Sequence, residues 1–158
     1  MYRIGFSEDV HPLKEGRKLF LGGVYFDGEV GLDGHSDADV VLHAVAESIL
    51  GALALGDLGK HFPDNDPKYK DIASSLLVKE VMELASDKGY EVSNIDIQVA
   101  SASVKLAPHI LKMRENVAKL LKTDLDNVSI KAMSFNKVGP IGEAKAIKAS
   151  AIVLMKKI

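Results

Sequence analysis

The chain has 158 residues, 47% hydrophobic and 27% charged, enough for one domain over residues 1–158 that buries roughly two-thirds of its unfolded surface. Twenty Lys and Arg against 22 Asp and Glu give a net charge of −2 without like-charged blocks, which argues against nucleic acid as a partner. The absence of cysteine excludes disulfides, thiolate nucleophiles and Cys-based zinc motifs, so a transition-metal site must draw on His, Asp and Glu.

Residues 2–10 and 17–26 (RKLFLGGVYF) read as strands of one sheet, with turns at Gly16 and Gly28 and a bulge or close backbone approach at Gly22-Gly23. From Asp37 the spacing becomes helical. Val40, Val41, Ala44, Val45, Ser48 and Ile49 form a stripe that runs to Leu55 and stops at Gly56. Residues 60–70, KHFPDNDPKYK, read as an ordered loop anchored by Phe62 and Tyr69. The spacing predicts an amphipathic helix over 71–88 ending at Gly89, a strand over 95–102, and a helix over 108–121 opened by Pro108. Closing strands are expected at 128–135 and 146–155, and Gly139-Pro140-Ile141-Gly142 reads as a turn. This β-β-α-α-β-α-β-β order has no regular βα repeat. The predicted fold class is therefore α+β, a mixed β-sheet with helices packed on one face. No apolar stretch reaches the length of a membrane span and no charged-then-apolar leader opens the chain, so a cytoplasmic protein without a membrane partner is expected.

Asp9 and His11, at the end of the first strand, point the same way because the side-chain period there is two. In the stretch HSDADVVLH, from His35 to His43, Ser36 or Asp37 is the expected N-cap, which leaves His35, Asp39 and His43 without a capping role. On a helix, Asp39, His43 and Glu47 fall at i, i+4 and i+8, on a different face from Val40, Val41 and Ala44. Two histidines and a carboxylate with an open position make the donor set of a catalytic zinc site, and Asp9, His11 and His43 can supply it. A turn aspartate beside a surface histidine is the structural alternative for Asp9 and His11. The segment Ser101 to Lys105 follows a strand and precedes a helix, so its amides and Lys105 can hold a phosphate or nucleotide, or form a plain connection. Gly51 and Gly56 have P-loop spacing, but Asp57 stands in place of the lysine and the segment ends a helix, which excludes that motif.

The run Asp9-Val10-His11, then HSDADVVLH, then Gly56-Asp57-Leu58-Gly59-Lys60-His61-Phe62-Pro63-Asp64-Asn65-Asp66-Pro67, in that order, closely resembles the 2-C-methyl-D-erythritol 2,4-cyclodiphosphate synthase family. The resemblance extends through Asn94-Ile95-Asp96 and from Lys105 through Pro108-His109 to Arg114. It implies a trimer-forming, chorismate mutase-like architecture and a place in non-mevalonate isoprenoid biosynthesis. The implied reaction is an intramolecular phosphoryl transfer, classed as a lyase. In it the 2-phosphate of 4-diphosphocytidyl-2-C-methyl-D-erythritol 2-phosphate attacks the β-phosphate of the same molecule, giving the cyclic diphosphate and CMP. The resemblance further implies a homotrimer with active sites at subunit interfaces, acting on a cytidine diphosphate-type substrate. By position, Asp9, His11 and His43 match ligands of one Zn²⁺ per subunit, with Asp9 and His11 also in reach of substrate. His35 matches a transition-state stabiliser, with Ser36 beside it. Asp57, Leu58 and Gly59, and Phe62, Pro63, Asp64, Asn65 and Asp66, match substrate-binding loops. Ser101, Ala102, Ser103, Val104, Lys105, Leu106 and Ala107 match a cytidine pocket.

The departures from the family lie late in the chain. Met133-Ser134-Phe135-Asn136 stand where the family has a Thr-Thr-Thr-Glu run; Ser134 keeps the hydroxyl of a second catalytic residue, and Met133 and Phe135 flank it in the substrate loop. Asn136 replaces an acid associated with a second divalent ion, so protein binding of Mg²⁺ or Mn²⁺ is expected to be weakened. Val104 stands where a proline is usual. Glu8, Pro140 and Glu143 replace residues around an axial cavity that in the family takes isoprenoid diphosphates, and acid there implies that this cavity is altered or lost. Two alternatives to the synthase reading are a trimeric zinc- and nucleotide-binding homologue without turnover, and a metal-dependent phosphoesterase.

Overall fold

In a computed structural model that describes residues 1–158, the first strand, β1, runs from Tyr2 to Lys14. It pairs antiparallel with the last strand, β7 (Ala146–Lys157), in a register that sets Asp9 opposite Ala149 and His11 opposite Ile147. On its other edge β7 pairs antiparallel with β5 (Tyr90–Ala100), and β5 lies parallel to β6 (Val128–Met133). A parallel pair needs a crossover, which the helix α4 (Ile110–Leu121) supplies. With the two-residue β4 (Gly31–Leu32) added, the mixed sheet has the order β4-β1-β7-β5-β6.

Helices α1 (Val40–Ala52), α3 (Ser74–Asp87) and α4 cover one face of this sheet, and 38 buried residues fill the space between them. The α+β architecture expected from the element order is thus present. Ten of the thirteen residues of α1 are buried, because it lies between the sheet and α3. The opposite face of the sheet is not covered by these three helices. There Tyr2, Ile4, Phe6 and Val10 stand out of β1 at 54 to 70% exposure, with Ile152 of β7 beside Phe6.

The seating of α1 on β1 fixes the later geometry. A Cβ added to Gly5 would lie 1.9 Å from the carbonyl oxygen of Ser48, so helix backbone rests directly on the strand there. Two strand residues advance about 6.6 Å, and four helix residues about 6 Å. Ser7, two residues beyond Gly5, donates its hydroxyl to Glu47 at 3.4 Å; from that contact two strand residues lead to Asp9 and four helix residues lead back to His43, which meet.

Several expectations are corrected. Residues 17–26 form no strand of the main sheet but a separate hairpin, β2 (Leu19–Leu21) and β3 (Val24–Phe26). Gly22 and Gly23 are its two-residue turn, both at positive φ, which glycine alone adopts without strain. The cap of α1 is Asp39, not Ser36 or Asp37, and it does not share the outward face of His43. Asp39 is fully buried and accepts from Leu42 N–H and, across the fold, from Gly22 N–H at 2.9 Å and Gly23 N–H at 2.7 Å. Burial pushes its pKa up to about 6 despite these donors. Asp9 and His11 lie inside β1, which continues to Lys14, rather than at a strand end. The strand expected at 95–102 starts earlier, at Tyr90, and the loop at 60–70 is partly ordered into α2 (Leu58–His61) and a single turn at Pro67–Tyr69. Residues 139–142 are a one-turn helix, α5 (Gly139–Gly142). No helix is long and apolar enough to cross a membrane.

Because nothing flexible lies over Gly5, Gly5→Ala is expected to destabilise the protein by at least about 2 kcal/mol through overpacking. Urea unfolding measures this, and an unchanged midpoint would contradict the direct seating of α1 on β1.

Candidate metal centre

The register of α1 on β1 brings Asp9, His11 and His43 together. Asp9 Oδ2 lies 2.9 Å from His11 Nε2 and 3.1 Å from His43 Nδ1, and one donor atom from each residue falls within 4.8 Å of the others. The remaining nitrogen of each ring is tied down. His11 Nδ1–H donates to the Asp33 carbonyl at 2.7 Å. The Ser74 hydroxyl donates to Asp37 Oδ1, so its oxygen accepts from His43 Nε2–H at 2.9 Å, with Ser36 Oγ 3.0 Å from the same nitrogen.

With both outer nitrogens protonated, two neutral imidazoles aim lone pairs at one carboxylate oxygen. That arrangement is unfavourable unless positive charge sits between them, and it is the outer-shell pattern that orients histidines toward a metal. The triad fits a divalent metal ion. When no ion is bound, the inner nitrogens can instead carry hydrogens and donate to Asp9; burial raises the Asp9 pKa, but these hydrogen bonds outweigh it and hold the carboxyl well below the usual carboxylate range. The hydrogen bond to Asp9 raises the His11 pKa, against the opposing effect of burial.

A cavity of about 370 Å³ opens beside the triad, and His35, Ser36, Asp57, Leu58, Gly59, Phe62 and Asp64 share its wall. Asp57 caps α2 through Lys60 N–H, and Phe62 is buried edge-on against Tyr69 at 5.4 Å. His35 Nε2–H donates to the Asp66 carbonyl at 3.2 Å, although Asp66 does not itself line the cavity. Pro63 and Asn65 lie in the same loop without lining the cavity. The hydroxyl of Ser36 turns inward to His43 and to Ala38 N–H, so in this conformation its contacts are within the protein.

A second cavity, of about 610 Å³, gathers Ser101, Ala102, Ser103, Val104 and Lys105 with Ser134 and Asn136. It shares no residue with the metal-side cavity, so the expected site residues fall into two separate groups within one chain. Leu106 is core, while Ala107 opens the turn before α4. Met133 is exposed, and Phe135 packs beside Ala100, Ile141 and Ala146.

The YgbB family model matches residues 2–156. The chain belongs to the YgbB family. Among its relatives is the 2-C-methyl-D-erythritol 2,4-cyclodiphosphate synthase of Geobacillus sp., 52% identical over 99% of each chain. Of the solved structures, the bifunctional IspDF of Campylobacter jejuni is similar at TM-score 0.96 and 36% identity; the match covers all of this chain and 43% of that longer protein. The IspF of Plasmodium falciparum, solved as a CDP complex, is similar at TM-score 0.86 and 33% identity, covering 99% of this chain and 96% of that one.

Within this YgbB chain the residues late in the sequence take definite places. Phe135, Asn136 and Lys137 all adopt positive φ, curling the loop so that Ser134 Oγ accepts from Asn136 N–H at 3.3 Å. Lys105 and Lys137 line the second cavity, and no Asp or Glu does. Glu8 pairs with Lys148 at 2.7 Å and Glu143 with Lys145 at 3.1 Å, so each acid carries its own cation. Sequence reading missed Ser74 and Arg17, which hold the site from behind. Arg17 has no spacing relation to the histidines, and Ser74 looks like an ordinary first residue of a helix.

The coupling of Asp9 and His11 has a defined sign with pH. A raised His11 pKa contributes stability that is full below the unfolded value of about 6.5 and is lost as pH rises through the folded value. Chelated protein is therefore expected to lose urea resistance as pH rises through this range, while its metal affinity increases as His11 gives up its proton. Denaturation and metal titration across that range check both trends; parallel rather than opposite trends would contradict the shared site.

Proposed function

We propose that this chain converts 4-diphosphocytidyl-2-C-methyl-D-erythritol 2-phosphate to 2-C-methyl-D-erythritol 2,4-cyclodiphosphate and CMP, acting as one cytoplasmic domain over residues 1–158. The observation that carries the reading is the convergence of Asp9 Oδ2, His11 Nε2 and His43 Nδ1 beside a cavity that His35 also lines. The two-His, one-carboxylate donor set favours Zn²⁺. When bound, the ion supplies charge neutralisation to a diphosphate oxygen.

An oxygen of the 2-phosphate forms a bond to the β-phosphorus as the bond from that phosphorus to the bridging oxygen of CMP breaks, and the electron pair leaves with CMP. Nucleophile and leaving group are both phosphates, so positioning and electrostatic stabilisation matter more than a strong base. We assign His35 as a donor to the transferring phosphate, its Nε2–H exchanging the Asp66 carbonyl for a phosphate oxygen. Asp57, Leu58, Gly59, Phe62 and Asp64 enclose the erythritol portion. Ser36 and Ser74 hold the tautomer of His43. The loop from Ser101 to Lys105 takes the cytidine, and Ser134 takes a diphosphate oxygen. A second Mg²⁺ or Mn²⁺ finds no carboxylate in the nucleotide-side cavity. We assign part of its charge to Lys105 and Lys137, with the diphosphate oxygens holding whatever ion is present.

We also propose a homotrimer. The exposed apolar face formed by Tyr2, Ile4, Phe6, Val10 and Ile152 is larger than isolated surface residues account for. Burying it against further copies gives the metal-side cavity of one copy a way to be completed by the nucleotide-side cavity of another.

Incubation of purified protein with the linear substrate, Zn²⁺ and Mg²⁺, followed by phosphorus NMR and nucleotide analysis, tests the reaction. Equal amounts of CMP and cyclic diphosphate are expected. Inorganic phosphate would point instead to hydrolysis, and bound metal and CMP without turnover to a binding protein.

A further inference from the structure

We infer that Arg17 is a positioning residue for His35, which rests on the reading of His35 given above. Arg17 lies in the turn between β1 and β2 and lines neither cavity. Its guanidinium spans the loop that carries His35: Nη1–H donates to the Gly34 carbonyl at 3.1 Å and Nη2–H to the Ser36 carbonyl at 2.7 Å. These two carbonyls flank His35 on either side. The guanidinium forms no ion pair with any carboxylate, so its charge is spent on these two backbone oxygens.

The backbone of Arg17 is itself pinned. Its carbonyl accepts from Gly31 N–H at 3.0 Å, and a Cβ added to Gly31 would lie 2.4 Å from that oxygen. Gly34 is equally crowded, since a Cβ there would meet Ala38 at 2.9 Å and the His11 ring at 3.3 Å. The opposite side of the loop is held by two backbone bonds, from Asp71 N–H to the His35 carbonyl at 2.8 Å and from Asp37 N–H to the Ile72 carbonyl at 3.1 Å, and by the Asp37 carboxylate, which accepts from Ser74. Arg17 is thus the only side chain outside the loop that grips the backbone on both sides of His35.

Charge-assisted bonds from a planar fork fix two acceptors at once, which an ammonium does not reproduce. Arg17 therefore sets the peptide planes on both sides of His35 and, through Ser36, the approach to His43. Removal of the fork frees the loop without touching a metal ligand.

Three readouts on Arg17→Ala test this, with Arg17→Lys carrying the same readouts should the alanine variant not fold. Peptide hydrogen exchange over 34–37 is expected to rise by about tenfold, with the helices α3 and α4 unchanged. Turnover is expected to drop by about tenfold in kcat with KM nearly constant and metal content unaltered, Arg17→Lys recovering part of it. Because Arg17 acts through His35, its loss in a His35→Ala background should cost nothing further, whereas an independent structural role gives effects that multiply. Unchanged exchange at 34–37, or multiplicative effects in the double variant, would overturn the inference. Absence of turnover in the parent protein falls on the proposed reaction instead, and the exchange comparison still decides the role of Arg17.

Discussion

A helix resting directly on a strand at Gly5 sets the other distances of the site. Because the Ser48 carbonyl occupies the space of a missing Cβ, α1 cannot slide or lift without losing that contact. The near match between two strand residues and one helical turn then carries the register from the Ser7–Glu47 contact to Asp9 on the strand and His43 on the helix. A metal triad drawn from residues 34 positions apart in sequence is thus placed by packing rather than by a local motif.

The start of α1 is fixed with equal economy. Asp39 satisfies the first turn through Leu42 N–H and, with the same carboxylate, the two amides of the Gly22-Gly23 turn. One buried acid therefore docks a separate hairpin onto the helix that carries His43. On the outer side Asp37 holds Ser74, Ser74 holds His43, and Arg17 holds the loop between them. The site is kept in shape by residues that do not themselves face the cavity.

Much of this was legible in the sequence, and the limits have physical causes. The period of two in β1 placed Asp9 and His11 on one side, and the helical period after Asp39 separated His43 from Val40 and Val41. RKLFLGGVYF was misread because alternation alone does not distinguish one strand with a bulge from two strands joined at Gly22-Gly23. The N-cap was misassigned because Ser36, Asp37 and Asp39 are all good capping residues. The choice fell to Asp39 through amides more than fifteen positions away. Arg17 and Ser74 were invisible for the same reason, since only the folded chain brings them to the loop. The family resemblance supplied the likeness of His35 and of the loops at 57–66 and 101–107, which residue spacing by itself left open.

The separation of the two cavities within one chain is the feature that most constrains the account. The metal cluster and the loop from Ser101 to Lys105 share no lining residue, and the exposed apolar face of the sheet offers the surface on which copies can meet. Mixing two variants, each inactive alone, tests this most directly: a His43→Ala chain without the metal triad and a Lys105→Glu chain with a charge-reversed nucleotide loop. If each site takes its triad from one subunit and its loop from the next, equal mixing and reassembly should restore about a quarter of the parent activity, since hybrid trimers contain sites intact in both parts. A mixture as inactive as its components, with exchange of subunits demonstrated, would contradict a site shared between subunits.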